Sequence, residues 1–142
     1  MFNKIEDNSM FVFCLFIASI SLILSSFSSS SSKRVLVIGG SGRVGGSAVR
    51  ALNKQGFKVD VGGRNIKTWQ NYNSQYNNQL PNNFIPVNVY NKEIINDIVK
   101  EYDLVINTAG PFQGLKESIA LQCCLQNGVK YIGMFISFLS GI

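Results

Sequence analysis

The stretch RVLVIGGSGRVGG, residues 34–46, decides the fold of this chain. It opens with a short, continuous apolar run, which is typical of a parallel strand buried on both faces. Glycines follow at once, and Val44, Ala48 and Leu52 then recur every four residues as one face of a helix. The sequence therefore predicts a strand, a glycine turn and a helix in succession.

The glycine turn has the spacing G-x-G-x-x-G at Gly40, Gly42 and Gly45. Between a strand and a helix, this pattern predicts a dinucleotide site. Gly40 is expected to permit the tight turn, Gly42 to let a diphosphate approach the backbone, and Gly45 to let the helix pack closely. Free amides at the helix start would then bind the phosphates. The predicted contacts are Gly39, Gly40, Ser41, Gly42, Arg43, Val44 and Gly45.

Further strands and helices alternate along the chain. Strands are predicted at 58–61, 84–89, 103–107 and 129–135, and helices at 94–99, with Asn91 as N-cap, and from Leu115 to a C-terminal Gly128. Residues 65–83 contain Trp69 and Tyr72, which could anchor a weak helix, but we favour a low-complexity insertion. Pro86 indicates an edge or irregular strand. The pattern predicts an α/β fold: a Rossmann-like parallel sheet of about five strands with helices on both faces.

The end of the second strand decides which nucleotide is bound. NAD enzymes place a carboxylate there, and NADP enzymes often place an arginine near the 2′-phosphate. Asp60 is the candidate carboxylate, but it lies in mid-strand. The alternative is that Asp60 occupies an edge or solvent-facing position. Arg64 stands where the chain leaves the sheet, and Arg43 could reach the same phosphate. Two arginines and no carboxylate at the rim predict NADP(H) as the cofactor in preference to NAD.

Two later segments are further candidates for cofactor contacts. The turn of Thr108, Ala109, Gly110 and Pro111 follows the fourth strand, at the carboxyl edge of the sheet where ligands bind in open α/β folds. It is expected to pass backbone groups across the adenosine and ribose. Asn88, at the end of the third strand, is either an adenine contact or a plain loop amide.

Composition narrows the classes of ligand. The 142 residues carry 13 basic and 8 acidic side chains, a net charge of +5, but the basic residues are scattered singly. This suits a polyanionic ligand, and we expect no nucleic-acid partner. With no histidine, three cysteines and no Cys-x-x-Cys pair, we expect neither a metal site nor a disulfide framework.

The two ends differ from the middle. Residues 10–27 form an uncharged apolar stretch, expected to be helical, that suits a membrane anchor, a cleaved signal or an organelle leader. We therefore divide the chain into a leader or anchor with a Ser-rich linker (1–32), an NAD(P)-binding domain (33–135) and an irregular apolar tail (136–142). The expected location is a membrane with a cytosolic domain, or a plastid after leader removal. An exposed sheet edge would favour self-association.

Together, GGSGRVGG, VGGRN, NTAGPFQ and ALQCCLQNGVKYI resemble the NADP-binding domain of the saccharopine dehydrogenase-like family, in its plant and algal plastid-type members. The resemblance covers residues 34–132. It implies an NADP-dependent oxidoreductase with Gly40, Gly42, Gly45, Arg64 and the 108–111 turn as cofactor contacts. Gly133 stands where the family usually has an aspartate, and a substrate domain is missing, so the resemblance assigns no catalytic residue.

Three functions remain open at this point. The chain is part of an oxidoreductase that is active only in a longer isoform or an assembly. Alternatively, it is a nucleotide-binding or redox-sensing module without chemistry of its own. The third alternative is a membrane-anchored fragment whose exposed sheet edge needs a partner.

Overall fold

The computed structural model describes residues 33–76, 80, 83–109 and 118–133. The chain separates into two units, Met1–Ser31 and Ser32–Ile142, and every described residue belongs to the second. In chain order the elements are β1 (Arg34–Ile38), α1 (Arg43–Lys54), β2 (Lys58–Gly63), α2 (Ile66–Ser74), β3 (Asn83–Pro86), α3 (Lys92–Val99), β4 (Leu104–Asn107), α4 (Ile119–Gln126) and β5 (Lys130–Gly133).

The five strands form one parallel sheet in the order β3-β2-β1-β4-β5. The chain moves outward from β1 to β3 and then returns to the other side of β1 at β4. Because such crossovers are right-handed, α1 and α2 cover one face of the sheet, and α3 and α4 pack together on the other. The predicted Rossmann-like fold is confirmed, and the point where the strand order reverses lies beside β1.

Buried side chains alternate between the two faces, as a doubly covered sheet requires. One face carries the buried valines of β1 and β2 and receives Ala48, Val49 and Leu52 of α1. The other forms a core cluster in which Leu36 and Ile38 pack with residues of α3 and α4. The continuous apolar run of β1 is therefore explained by burial on both sides.

The region predicted to be an insertion is a helix. Asn65 caps α2 by accepting a hydrogen bond from the Lys67 amide at 2.9 Å. Trp69 is buried, and its ring stacks with that of Tyr72 at a centroid distance of 5.8 Å. The insertion prediction was wrong because burial of one aromatic face outweighs the weak helix propensity of the surrounding asparagines and glutamines.

Element ends follow the predicted signals with small shifts. Asn91 caps α3 through the Ile94 amide, and Gly128 follows α4 with a φ of 67°, as predicted. β2 continues through both of its terminal glycines instead of stopping before them. Pro86 ends β3 at the edge of the sheet, where a missing amide proton is tolerated. Leu115 and residues 134–135 lie outside the described ranges.

Asp60 lies neither at an edge nor toward solvent. It belongs to β2, an inner strand, and is 8% exposed. Its carboxylate accepts hydrogen bonds from the Arg34 guanidinium at 3.1 Å and the Tyr102 hydroxyl at 2.8 Å. Arg34 is the first residue of β1 and Tyr102 lies two residues before β4, so the Asp60 carboxylate is bound toward the edge of the sheet opposite to that where nucleotides bind. Burial, followed by the hydrogen bond to Asp60, raises the pKa of Tyr102.

The expected membrane or plastid location is corrected. No helix in the described ranges has both the length and the apolarity to cross a membrane. The apolar stretch 10–27, with the N-terminal helix expected there, lies outside the described residues. Self-association through a sheet edge stays a prediction, with β3 and β5 as the two edges of the described sheet.

We expect Tyr102→Phe to lower the free energy of unfolding by about 1 kcal/mol at neutral pH, because one buried hydrogen bond is lost. It should also reduce the alkaline sensitivity of the fold. The folded-state pKa of Tyr102 is raised, so its stabilising effect is complete below the unfolded value of about 10 and is lost as pH rises toward the folded value.

Denaturant unfolding between about pH 9 and about pH 11 checks this prediction, because that range brackets the tyrosine pKa in the unfolded chain. Tyr90→Phe, on an exposed ring, is the matched control. Equal alkaline losses of stability in the wild type and Tyr102→Phe would contradict the assignment.

Candidate dinucleotide site

The turn after β1 depends on Gly39. Its φ of 82° lies in the left-handed region, and a Cβ there would be 2.7 Å from the Ala109 amide nitrogen. The Gly39 amide donates to the Gly62 carbonyl at 2.8 Å, and the Gly39 carbonyl accepts from the Gly42 amide at 2.9 Å. The tight turn therefore requires Gly39, whereas Gly40 was expected to fill this role. Gly40 is instead buried, and a Cβ there would be 2.8 Å from Val61.

Gly45 brings α1 against the ends of two strands. A Cβ at this position would overlap the Gly39 carbonyl oxygen and the Thr108 hydroxyl. The Thr108 hydroxyl and amide both donate to the Ile38 carbonyl at 2.9 Å, which ties the end of β4 to the end of β1. Close packing of the helix, expected of Gly45 from the sequence, is confirmed by this contact.

The N-terminus of α1 lacks a side-chain cap. Gly42 occupies the N-cap position, and no acidic residue lies in the first turn. The other three described helices are each capped by a side chain, namely that of Asn65, Asn91 or Ser118. Unpaired amides at a helix N-terminus, together with the positive end of the helix dipole, favour an anion. An anion bound there would accept hydrogen bonds from the first amides of α1 and so replace the missing side-chain cap.

A cleft of about 280 Å³ opens in front of this turn. Six predicted contacts line it: Gly39, Ser41, Gly42, Arg64, Thr108 and Ala109. Five further residues line it that were not predicted: Ile38, Gly63, Val87, Val89 and Tyr90. The lining comes from the carboxyl ends of β1, β2 and β4 and from the segment after β3. The topology thus brings together side chains that are far apart in sequence.

The remaining predicted contacts lie elsewhere. Gly40 and Gly45 are buried behind the turn, and Arg43 and Val44 stand in the first turn of α1. Asn88 does not line the cleft, because its carboxamide oxygen accepts a hydrogen bond from the Tyr90 amide at 3.1 Å. Gly110 and Pro111 lie outside the described residues.

Arg64 and Tyr90 are the two ionisable side chains among the residues that line the cleft. Arg64 is exposed directly after β2, and within the described ranges its guanidinium has neither an ion pair nor a hydrogen bond. Tyr90 is 58% exposed, which is high for an aromatic ring. A signal for Tyr90 existed in the sequence: a large aromatic directly after a strand at the carboxyl edge of the sheet.

A buried polar cluster holds the turn after β4. The Asn107 side chain accepts from the Ala109 amide at 3.2 Å and donates to the Tyr131 hydroxyl at 3.3 Å. That hydroxyl also lies 3.2 Å from the Ser118 hydroxyl, which caps α4. Asn107 and Ser118 are both buried. These hydrogen bonds hold the backbone of Ala109, which lines the cleft, from the side of the protein interior.

The parallel sheet, the glycine turn and the uncapped helix define a dinucleotide-binding domain of the Rossmann class. The sequence matches the model of the saccharopine dehydrogenase NADP binding domain over residues 35–138. The chain therefore belongs to this family, and the match confirms the predicted cofactor, NADP. No curated protein sequence matches the chain.

Solved structures of known proteins share the fold. Apo saccharopine dehydrogenase (L-Glu forming) from Saccharomyces cerevisiae has a TM-score of 0.58 at 18% identity over 75% of this chain and 22% of that one. AtPrR2 with NADP+ and (+)pinoresinol has a TM-score of 0.55 at 18% identity, over 72% of this chain and 36% of that one.

A UDP-glucose-4-epimerase from Stenotrophomonas maltophila, with bound NAD, has a TM-score of 0.55 at 19% identity, over 71% of this chain and 36% of that one. The chain thus spans between about a fifth and just over a third of the length of these three proteins. At these identities the likeness shows the fold alone.

We expect Gly45→Ala to lower the free energy of unfolding by about 1–3 kcal/mol, because the new methyl group overlaps a backbone carbonyl that cannot move freely. Thermal melting measures the effect. Gly42→Ala is the matched control: Gly42 has the extended angles φ −83° and ψ 169°, and its Cβ would meet only the Gly39 carbonyl, at 3.2 Å. A Gly45→Ala protein as stable as Gly42→Ala would refute the close packing.

Proposed function

We propose that this chain is the NADP(H)-binding domain of a saccharopine dehydrogenase-like oxidoreductase. The observation that carries the proposal is the uncapped N-terminus of α1, which opens onto a cleft that also holds the guanidinium of Arg64, a group without a partner among the described residues. One anion-binding site at the helix start and a second at Arg64 match a ligand with a central diphosphate and a peripheral phosphate. NADP has this distribution of charge, and NAD lacks the peripheral phosphate.

The diphosphate lies, in this proposal, over Gly42. Gly42 is exposed, and the space beyond its α-carbon is open apart from the carbonyl of its own turn. Absence of a side chain lets the ligand approach the amides of the first helical turn. Ser41, beside it in the cleft lining, adds a hydroxyl that can donate to a phosphate oxygen.

The 2′-phosphate lies, in this proposal, against Arg64. A guanidinium offers several donors in a planar fork that matches phosphate geometry. Asp60, the carboxylate that would otherwise bind ribose hydroxyls, is directed to the opposite edge of the sheet and bound to Arg34. Among the described residues that line the cleft there is no carboxylate to repel the phosphate. Charge and geometry at the end of β2 therefore both favour NADP over NAD.

Tyr90 contacts the adenine ring in this proposal. Val87 and Val89 supply apolar surface beside it, and Asn88 fixes the Tyr90 backbone through a local turn. A flat aromatic side chain beside apolar surface suits a purine base. From the sequence, Asn88 was either an adenine contact or a plain loop amide. In this proposal its side chain does not contact adenine but holds the backbone of Tyr90.

A non-catalytic nucleotide-binding or redox-sensing module is the second candidate. It is favoured by the described residues that line the cleft, among which there is no Asp, Glu, His or Cys to act as a general acid or base. The family assignment favours the oxidoreductase. In either case the present residues bind and orient the dinucleotide. The likeness to plant and algal members remains a prediction from Gly62, Gly63, Arg64 and Asn65.

We expect the protein to bind NADPH more tightly than NADH, and Arg64→Ala to remove most of this preference. Loss of charge-assisted hydrogen bonds should weaken NADPH binding by about tenfold or more, with little effect on NADH. Calorimetric titration of both nucleotides measures this. Lys67→Ala removes the same charge from a nearby exposed position outside the cleft lining and should leave both affinities unchanged.

Equal affinities for NADPH and NADH in the wild type would overturn the NADP assignment. An unchanged preference in Arg64→Ala would show that another group reads the 2′-phosphate. Equal losses of NADPH affinity in Arg64→Ala and Lys67→Ala would show that the effect comes from the net charge of the protein and not from a contact with Arg64.

Tyr90→Ala is expected to weaken NADPH and NADH alike, because both carry the same adenine. Base–aromatic stacking contributes about 1–3 kcal/mol, so each affinity should fall by about fivefold or more. Tyr90→Phe keeps the ring and should bind as the wild type does. Titration of 2′,5′-ADP, which lacks the nicotinamide half, should show the same loss, and an unaffected Tyr90→Ala would place adenine elsewhere.

A further inference from the structure

Tyr72 of α2 packs directly on the backbone of α1. Gly46 lies beneath its ring, and a Cβ at that position would overlap the ring and its hydroxyl. Gly46 follows the G-x-G-x-x-G spacing and has no role in the diphosphate turn. Its missing side chain therefore serves the contact between the two helices on this face of the sheet.

Arg50 links the same two helices. Its guanidinium donates to the hydroxyls of Tyr72 and of Tyr76, the latter at 2.8 Å, and to the Ser47 hydroxyl at 2.9 Å. It also lies 4.6 Å from the ring centroid of Tyr76. We call these four residues and Gly46 the α1–α2 clamp. Burial raises the pKa of Tyr72 to about 12.

The clamp connects the two anion-binding positions of the proposed site. At one end, the Ser47 hydroxyl donates to the carbonyl of Arg43, the first residue of α1, at 3.0 Å. At the other end, α2 begins at Ile66, two residues after Arg64, with Asn65 between them as its N-cap. Because the backbone of Arg64 bridges β2 and α2, the position of α2 determines where its guanidinium emerges.

We propose that Tyr72 and Arg50 are positioning residues that set the preference for NADP over NAD by holding Arg64 at the cleft. The inference rests on the proposed function. Neither side chain lines the cleft, so neither contacts the nucleotide directly. Precise placement matters because bidentate recognition of a phosphate depends on the orientation of the guanidinium plane. If α2 were loosened, Arg64 would keep its charge, but its guanidinium would no longer be held in the orientation that binds the phosphate.

The test is the ratio of the NADPH and NADH dissociation constants in the whole chain. Tyr72→Ala should weaken NADPH binding by about tenfold, comparable to losing a charge-assisted hydrogen bond, and leave NADH binding nearly unchanged. Tyr72→Phe keeps the ring on Gly46 and should retain most of the preference. Val99→Ala, in the core on the opposite face of the sheet, is a control that lowers stability without loosening α2.

A double-mutant cycle sharpens the result. In an Arg64→Ala background, adding Tyr72→Ala should change the nucleotide ratio no further, because both substitutions remove the same interaction. Additive effects in the cycle, a wild-type ratio in Tyr72→Ala, or the same change of ratio in Val99→Ala would each overturn the positioning role.

Two further outcomes are separable. If Tyr72→Ala does not fold, Arg50→Leu decides in its place: a reduced preference for NADPH over NADH supports the inference, and a wild-type preference refutes it. A wild-type protein without any preference for NADPH refutes the proposed NADP function itself. If only the positioning role is wrong, the wild type prefers NADPH over NADH and the clamp variants keep the same preference.

Discussion

The site depends on one steric constraint, the approach of α1 to the ends of β1 and β4 at Gly45. A single methyl group there would collide with the Gly39 carbonyl and the Thr108 hydroxyl. Because the contact with Gly39 is backbone against backbone, it orients the first turn of α1 rigidly relative to the sheet. The uncapped amides therefore open at the switch point of the strand order, where the carboxyl ends of the strands leave room for a ligand.

Stability and binding are separated to opposite edges of the sheet. At the amino edge, Arg34 and Tyr102 satisfy the buried carboxylate of Asp60, which would otherwise be costly to desolvate. At the carboxyl edge, Arg64 remains without a described partner and α1 remains without a cap. The buried carboxylate of Asp60 is thus paired internally, while Arg64 and the first amides of α1 are groups that a polyanionic nucleotide can satisfy.

Local sequence signals predicted the elements whose causes are themselves local. Continuous apolar runs, asparagine caps and a glycine after a helix depend on residues within a few positions of one another. The polar segment around Trp69 was misjudged because its helix is stabilised by contacts with α1, more than 20 residues earlier in the chain. Composition describes the solvent side of such a helix and not the buried face that decides its stability.

The sequence alone determined the parallel α/β fold, the glycine turn and the NADP cofactor, because apolar runs, glycine spacing and the arginine after the second strand are local patterns. Tertiary structure decided which glycine carries the positive φ, that Asp60 binds at the amino edge, and that Tyr90 lines the cleft. These outcomes depend on the strand order β3-β2-β1-β4-β5 and its register, which join residues separated by dozens of positions. A linear pattern contains the residues of the site but not the neighbours that give each of them its role.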